Sequence, residues 1–346
     1  MYILGDSNMK KTLTTLITIL MIFALTSCSE SGDILDNLVF EDVVLDGEVV
    51  AYEIVGHGKN LPKNIVLPTT FSTSAYGTKP VVKIGPSAFR SSNLKSIVIP
   101  ESYIEIDEEA FINSTFLEKV TFEGNSELIK IGNNAFKLNS SLKEITIPRS
   151  VKTIGEFAFS EAISLSSVVF EENSSLETIG SNAFSITTNL KEITLPAKVK
   201  TIDTPIFFGS TKLQNIYVDS KNTHFSSVDG VLYNYDKTTL IYYPEGKKEE
   251  TYNLLESVIK IENNAFYLNK NLKEIKLNNN LKIISRLAFG RIENIKTLVI
   301  PISVNVIEKD AFKEAKDLVL FLEHLEPKEG FHNDHDMIRA VEKYSG

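Results

Sequence analysis

Apolar and polar residues alternate along most of this chain in short runs, several of which end at a proline. In Leu142–Phe159, isoleucines recur at every second position and then give way to Pro148. Alternation with period two predicts a short β-strand with Ile145 and Ile147 facing inward. Proline has a fixed φ and no N–H group, so it predicts that the strand ends there and the chain turns.

Two further elements follow this strand at nearly constant spacing. The first is Val-x-x-Ile-Gly, as in Val151–Gly155, whose apolar pair predicts a second inward-facing edge. The glycines of this element, Gly85, Gly132, Gly155 and Gly180, predict a tight bend. The second is an Ala-Phe pair, in which the small residue lets neighbouring coils approach and the ring fills the space between them.

The Ala-Phe pair, or a close variant, recurs at a nearly constant interval. It ends at Phe89, Phe111, Phe136, Phe159, Phe184, Phe207, Phe266, Phe289 and Phe312. The gaps are 22, 25, 23, 25, 23, 59, 23 and 23 residues. A period of about 20 to 30 residues is typical of solenoids, whose coils bury their apolar faces against neighbouring coils. The pattern therefore predicts a repeat solenoid with coils of mostly 23 residues.

The strand, the proline, Val-x-x-Ile-Gly and Ala-Phe together resemble the BspA-like (Treponema-type) leucine-rich repeat family over residues 61–322. The resemblance implies a leucine-rich repeat solenoid with short parallel strands. Two coils depart from the pattern, because residues 123–128 and 171–176 replace proline with an acidic stretch and add two residues. A third coil has Asn278–Asn280 in place of proline and Ser285 in place of glycine. These coils are expected to loop differently while the stack persists.

Segments at both ends of the repeats are expected to cover the outermost coils. Residues 38–60 contain apolar runs on either side of Asp46-Gly47, which predicts a hairpin that serves as an N-terminal cap. The first repeat is expanded, with residues 72–79 expected as a loop. Residues 323–346 are expected to form a C-terminal cap or tail, with a short helix beginning at Met337 and including Val341.

The N-terminal segment indicates export. Lys10 and Lys11 precede an apolar run that leads to Leu25-Thr26-Ser27-Cys28. A basic start, a short apolar run and small residues are typical of a secretory signal peptide, here residues 1–27. The last four residues resemble a bacterial lipobox, which implies a lipid-modified Cys28, the single cysteine of the chain. Translation from Met1 and translation from Met9 both stay open.

Residues 28–37 are expected to form an acidic tether to the lipid. Their first residues resemble the surface-export signal of Bacteroidetes lipoproteins, which implies an outer-membrane protein that faces outward; a periplasm-facing protein is the alternative. The formal net charge of −9 and the lack of a basic stripe argue against a nucleic-acid partner. Contact with a membrane is expected through the lipid anchor alone.

Catalytic and metal-binding patterns are scarce. The sequence has no Gly-x-Ser-x-Gly elbow, no glycine-rich phosphate loop and no cysteine besides Cys28. Imidazoles and carboxylates gather at His324 and His332–Asp336, where they could bind a divalent ion. Their spacing differs from that of a helical zinc motif, which favours a solvated loop. We therefore expect no enzyme, no cofactor and no metal site.

The 59-residue gap contains the strongest local anomaly of the sequence. It includes an insertion at residues 219–248, with a second hairpin signal at Asp229-Gly230 and a further strand at residues 240–244. Half of the twelve tyrosines lie between Tyr217 and Tyr252. The candidate ligand contacts are Tyr217, Tyr233, Tyr235, Tyr242 and Tyr243. These rings either pack on the flank of the solenoid or stay exposed to stack on a sugar or to anchor a protein partner.

The outward strand positions form a second candidate surface. They are Lys95, Ser96, Val98; Glu118, Lys119, Thr121; Lys143, Glu144, Thr146; Ser166, Ser167, Val169; Lys191, Glu192, Thr194; Gln214, Asn215, Tyr217; Lys273, Glu274, Lys276; Lys296, Thr297, Val299. A solvated ladder of lysine and glutamate is the simpler interpretation. The alternative is that this face binds proteins, as extended solenoid sheets do.

Function is expected to be binding rather than catalysis. The resemblance implies adhesion, with host matrix or mucosal proteins or other bacteria as extracellular partners. A glycan-binding accessory lipoprotein of a nutrient-uptake system is the first alternative and requires exposed tyrosines between Tyr233 and Tyr243. A structural envelope protein, which predicts no saturable ligand, is the second. The oligomeric state stays open.

Overall fold

The computed structural model describes residues 32–323 and the strand Val341–Lys343. The predicted signal peptide, the lipid anchor Cys28 and the histidine-rich tail segment lie outside these residues. The first described residues, Gly32–Leu35, form one helical turn (α1) within the predicted tether. In the described part of the chain, no helix is long and apolar enough to cross a membrane. The backbone divides into two compact units between Ala183 and Phe184.

The first unit begins with the predicted hairpin. Strand β1 (Leu38–Leu45) pairs in antiparallel fashion with β2 (Glu48–His57). The turn between them has a positive φ at Asp46 (52°) and at Gly47 (87°), as Asp-Gly hairpins require. Strand β2 also pairs in parallel with β5 (Gly77–Ile84), so the hairpin forms one edge of that sheet.

The predicted loop at residues 72–79 is wrong. Strand β4 (Thr70–Thr73) pairs in antiparallel fashion with β5, with Thr73 opposite Gly77. Gly77 has a φ of 68°, which suits a hairpin connection of three residues. The β-branched and aromatic residues of β4 favour strand pairing over an open loop.

Each later coil of the first unit contributes to two parallel ladders. The longer strands form one face: β3 (Asn64–Val66), β6 (Ser96–Ile99), β8 (Lys119–Phe122), β10 (Glu144–Ile147) and β12 (Ser167–Phe170). Two-residue strands continue the sheet from β5: β7 (Glu105–Ile106), β9 (Lys130–Ile131), β11 (Thr153–Ile154) and β13 (Thr178–Ile179). The short ladder is continuous across the lengthened coils, which confirms that the stack persists through them.

Aromatic rings fill the space between the coils of the first unit. The rings of Phe89, Phe111, Phe136 and Phe159 lie 5.0–5.3 Å from their neighbours, with planes within 7°. Each of these four side chains is fully buried, and the alanine before each one is buried too. The predicted roles of alanine and phenylalanine are confirmed. The predicted strand alternation is confirmed as well, because Ile145 and Ile147 are buried while Glu144 and Thr146 are exposed.

The glycines of Val-x-x-Ile-Gly act through close packing rather than through a bend. Gly155 does not have a positive φ, whereas Phe157, two residues later, has a φ of 53°. A Cβ atom on Gly155 would lie 2.6 Å from the backbone nitrogen of Asn133 and 2.7 Å from the carbonyl carbon of Gly132. The bend prediction is therefore wrong: glycine is needed because the preceding coil passes too close for a side chain.

The second unit repeats this arrangement with an insertion. Its longer strands are β14 (Glu192–Leu195), β16 (Asn215–Val218), β20 (Thr251–Asn253), β22 (Glu274–Lys276), β24 (Thr297–Ile300), β26 (Val319–Leu322) and β27 (Val341–Lys343). Its short strands are β15 (Thr201–Ile202), β21 (Lys260–Ile261), β23 (Ile283–Ile284) and β25 (Val306–Ile307). The inserted strands are β17 (Phe225–Val228), β18 (Val231–Asn234) and β19 (Thr239–Tyr242).

The C-terminal strand corrects one further prediction. Val341 belongs to β27, which pairs in parallel with β26, and not to a helix. The edge of β26 offers unpaired backbone groups, and these are satisfied by a strand but not by a helix. Residues 337–340 of the expected helix lie outside the described residues.

Candidate binding surface

The outward face of the longer ladder in the first unit contains an uncharged column. Val66, Val98 and Thr121 lie opposite one another on β3, β6 and β8, and Thr146 lies opposite Val169 on β10 and β12. Val66 and Val169 are 55% and 50% exposed, unlike the buried core valines. Exposed β-branched side chains in register make a flat surface that can exclude water from a partner.

Charged residues flank this surface and pair across neighbouring coils. Lys95 lies 3.9 Å from Glu118 in the first unit, and in the second unit Lys273 lies 2.6 Å from Glu250. All four side chains are at least half exposed, so each pair contributes little to stability, about 0–1 kcal/mol. The lysine–glutamate ladder of the sequence interpretation is present as these pairs, one in each unit.

The longer ladder is interrupted where the proline is missing. Strands β6 and β8 pair, as do β10 and β12, but within the described residues β8 and β10 belong to separate sheets. Pro100 and Pro148 follow β6 and β10, whereas Glu123 and two additional residues follow β8. The last residue of β8, Phe122, is half-buried, although its counterparts Ile99 and Ile147 are fully buried. The lengthened coil thus opens the sheet beside β8.

The insertion of the second unit contains the predicted hairpin. Strands β17 and β18 pair around Asp229-Gly230, where φ is 49° and 75°. The turn packs on β16, since the backbone N–H of Ile216 donates to the Gly230 carbonyl at 2.9 Å. Strand β19 then pairs with β18 and with β21, which brings the insertion into the short ladder.

Tyr243 takes the place of the phenylalanine that is missing from the 59-residue gap. Its N–H donates to the Ala265 carbonyl at 2.8 Å, just as the N–H of Phe266 donates to the Ala288 carbonyl. Its ring lies 5.2 Å from the ring of Phe266 and continues the stack. The spacing of 23 residues between Tyr243 and Phe266 was the signal in the sequence that could have revealed this role.

The other buried tyrosines bond within the same core. The hydroxyl of Tyr233 bonds to that of Tyr252, and the hydroxyl of Tyr242 lies 3.1 Å from the Phe207 carbonyl. Tyr233, Tyr242 and Tyr243 are only 1–3% exposed. The burial of these three rings favours the interpretation that they pack against the solenoid over the interpretation that they are exposed to a ligand.

Two candidate tyrosines remain at the surface. Tyr217 is 44% exposed on the outward face of β16, opposite Thr194, and Tyr235 is 52% exposed. Tyr217 lies on the strand that contacts the hairpin turn, whereas the N–H of Tyr235 donates to the His224 carbonyl at the open end of the hairpin. The structure does not bring these two rings together into one stacking platform.

A buried carboxylate supports the insertion. Glu245 Oε1 accepts hydrogen bonds from the Gly209 N–H at 2.8 Å and from the Tyr242 hydroxyl at 3.2 Å. Glu245 Oε2 has no hydrogen-bond partner among the described residues. Burial raises the pKa of Glu245 to about 7, although both hydrogen bonds and Lys270 act in the opposite direction. The group is enclosed, so it holds two loops together rather than facing a ligand.

An ionic cluster around Lys83 also serves the fold. Lys83 on β5 lies 2.7 Å from Asp107, 3.5 Å from Glu53 and 3.6 Å from Glu105. Burial opposes ionisation of Asp107, but the hydrogen bond and the charge of Lys83, the Glu108 N–H and the charge of Lys130 together outweigh it and lower the pKa of the carboxyl. Among the described residues, no group of three or more histidine, cysteine or acidic side chains could hold a metal ion.

Comparison with known families decides the classification. The model for the BspA type leucine rich repeat region matches in six copies, over residues 72–175, 117–234 and 239–319. These ranges include more than half of the chain. The chain belongs to the BspA-type leucine-rich repeat family. Among curated proteins, none matches this BspA-type chain.

Solved structures similar to this BspA-type protein come from several bacteria. The pneumococcal vaccine antigen PcpA is 28% identical with a TM-score of 0.71, over 86% of this chain and 81% of the antigen. A leucine rich cell surface protein of Faecalibacterium prausnitzii is 23% identical with a TM-score of 0.58, over 86% and 88%. A leucine-rich repeat protein of Eubacterium ventriosum is 20% identical with a TM-score of 0.51, over 84% and 70%. The last two comparisons show a shared fold.

Proposed function

We propose that this chain is a non-catalytic binding protein of the bacterial cell surface that attaches to an extracellular protein. The observation that carries the proposal is the uncharged column Val66, Val98, Thr121, Thr146 and Val169, whose end residues are at least half exposed. Apolar side chains on an extended sheet are suited to a protein partner. The similarity to the pneumococcal antigen and to a cell surface protein supports the location.

Adhesion is the function that we propose within this class, with host matrix proteins, mucosal proteins or other bacteria as partners. The glycan-uptake alternative receives less support, because Tyr233, Tyr242 and Tyr243 are buried. Tyr235 is the one exposed ring among the tyrosines from Tyr233 to Tyr243. One exposed ring offers a saccharide a single amphipathic stacking surface.

Binding to a panel of matrix proteins, mucin, bacterial cells and polysaccharides tests the proposal. The chain with Cys28→Ser is expected to bind at least one protein in a saturable way. Val169→Glu places a charge in the uncharged column and is expected to weaken this binding by about tenfold, or about 1.4 kcal/mol. Ile163→Glu is the matched control, because Ile163 is also exposed (44%) in the first unit but lies outside the column. Saturable binding to polysaccharides alone would contradict the proposal.

The location is proposed as an outer-membrane lipoprotein that faces outward, anchored through Cys28. Support comes from the lipobox-like sequence at Leu25–Cys28 and from its position after a short apolar run. Metabolic labelling with a fatty acid is expected to mark the wild-type protein and to leave Cys28→Ser unlabelled. Protease treatment of intact cells is expected to degrade the wild-type protein. Protection from protease would instead indicate the periplasmic side.

A further inference from the structure

Two turns of this protein have the same sequence and the same backbone conformation but different surroundings. Asp46-Gly47 joins β1 to β2, and Asp229-Gly230 joins β17 to β18, each as a two-residue loop. The φ angles are 52° and 87° in the first turn and 49° and 75° in the second. Any difference in the chemistry of the two Asp-Gly pairs must therefore come from the residues around them.

An Asp-Gly pair can react with itself, because glycine has no side chain to obstruct its backbone nitrogen. The nitrogen attacks the side-chain carboxyl carbon (Cγ) of the aspartate, an N–C bond forms, and the amide proton leaves with a carboxyl hydroxyl as water. The product is a five-membered succinimide ring. Water then adds to one of the two ring carbonyl carbons and opens the ring. One opening restores aspartate, and the other gives isoaspartate, in which the backbone runs through Cγ.

The first turn has room to rearrange. Asp46, Gly47 and Glu48 are exposed, and a Cβ atom on Gly47 would meet nothing within 4 Å. A register shift between Val43 and Val44 separates the last two residue pairs of the hairpin from the others. The tip can therefore change its backbone angles while the β2–β5 pairing still holds the cap on the first unit.

The second turn is held on both sides of its peptide bond. The Asp229 carbonyl accepts a hydrogen bond from the ammonium group of Lys247, a residue that is only 5% exposed, at 2.6 Å. The Gly230 carbonyl accepts one from the Ile216 N–H at 2.9 Å. A Cβ atom on Gly230 would lie 2.9 Å from the Asn215 Cα atom, so the turn is also tightly packed. The glycine nitrogen must swing towards Cγ to react, and these contacts oppose that rotation.

We propose that Asp46 is a site of spontaneous isoaspartate formation and that the contacts of the second turn protect Asp229 from the same reaction. The inference is independent of the proposed function. Isoaspartate at position 46 adds one carbon atom to the backbone of a two-residue turn, and the length of that turn sets the pairing of Leu45 with Glu48. The modification therefore alters the tip of the N-terminal cap and leaves the repeats as they are.

Ageing of the purified full chain with Cys28→Ser at neutral pH tests the inference. Aspartate and isoaspartate have the same mass, so peptide mapping with electron-transfer fragmentation measures the isoaspartate at each position. We expect it to accumulate about tenfold faster at position 46 than at position 229. Equal rates, or a faster rate at position 229, would overturn the proposal. So would an unmodified Asp46 at the time when a synthetic peptide of residues 42–50 has converted.

Two lysine variants test whether the surroundings cause the protection. Lys247→Met removes the hydrogen bond to the Asp229 carbonyl and is expected to speed isoaspartate formation at position 229 by about threefold or more, with position 46 unchanged. Lys248→Met is the matched control, because Lys248 is adjacent and exposed. An unchanged rate at position 229 in Lys247→Met would reject the protective contact. Circular dichroism checks the fold of both variants, and if Lys247→Met unfolds, the comparison of the two positions in the parent chain still decides.

Discussion

The imidazole ring of His57 stacks on the ring of Phe89, with 5.9 Å between centroids and 10° between planes. Phe89 in turn stacks on Phe111 at 5.2 Å. His57 is the last residue of β2, so the N-terminal hairpin adds one ring to the phenylalanine stack of the first unit. The hairpin therefore joins the unit both through β2–β5 pairing and through this ring contact.

Removal of the His57 ring is expected to destabilise the first unit. His57→Ala loses one stacked pair, which contributes about 0.5–1.5 kcal/mol, whereas His57→Phe retains a ring and most of the stability. Urea unfolding followed by circular dichroism measures both. His224→Ala, at an exposed position of the second unit, is the control. Equal stability of His57→Ala and wild type would show that the ring contact has no energetic role.

Two adjacent tyrosines are expected to respond in opposite ways to loss of a hydroxyl group. Tyr243→Phe removes a buried hydroxyl that has no hydrogen-bond partner among the described residues, so its stability should stay equal or rise. Tyr242→Phe removes a hydroxyl that contacts Glu245 and the Phe207 carbonyl, and should lower stability by about 1–3 kcal/mol. Chemical unfolding under the same conditions measures the free energy of unfolding of both variants. The reverse order would mean that Tyr243 is bonded in solution.

The packing role of Gly155 predicts a large effect of a single methyl group. Gly155→Ala places a Cβ within 2.6 Å of the Asn133 nitrogen, so neighbouring coils must move, and overpacking typically destabilises by about 1–3 kcal/mol. Gly56→Ala is the control, because a Cβ there would meet only Val39, at 3.7 Å. Thermal unfolding should separate the two variants. A neutral Gly155→Ala would contradict the close-packing explanation.

The buried carboxyl of Glu245 is expected to make the stability of the folded chain depend on pH. Burial raises the pKa of its carboxyl to about 7 in the folded chain, above the ordinary value of 4.5. The folded state therefore binds the proton more tightly, so this group lowers stability as pH rises from about 4.5 to about 7. The change is on the order of 1–3 kcal/mol and is complete above pH 7.

Glu245→Gln checks this prediction, because the amide can still accept from Gly209 and Tyr242 but does not ionise. The difference in unfolding free energy between this variant and wild type should grow in favour of the variant from pH 4.5 to pH 7. Glu256→Gln, at an exposed position in the same unit, controls for the loss of one charge. A difference that stays constant with pH would mean that Glu245 titrates normally.

The repeat pattern predicted the strands and the inward-facing residues of each coil. The predictions that failed concern contacts with other parts of the chain. Isoleucine alternation and the Ala-Phe interval are set within one coil, so Ile145, Ile147 and the phenylalanine stack follow from the sequence directly. The role of Gly155 does not follow from the sequence directly, because the atoms that exclude a Cβ belong to the preceding coil. The loop expected at residues 72–79 failed for a similar reason, since β4 finds its partner in β5.

The candidate site shows the same division. Tyrosine content located the insertion, but it could not distinguish Tyr243, which replaces a phenylalanine of the stack, from Tyr235, which is exposed. The missing proline after Phe122 identified an irregular coil. That this irregularity separates β8 from β10 depends on how two coils lie beside each other.

The sequence by itself determined the family, the coil length and the inward-facing residues, because each coil repeats the same local pattern and cannot bury its apolar face alone. Tertiary structure decided which tyrosines are buried, where glycine is indispensable and where the outward ladder opens. Those features depend on contacts between coils, and a contact between coils exists only after the chain has stacked.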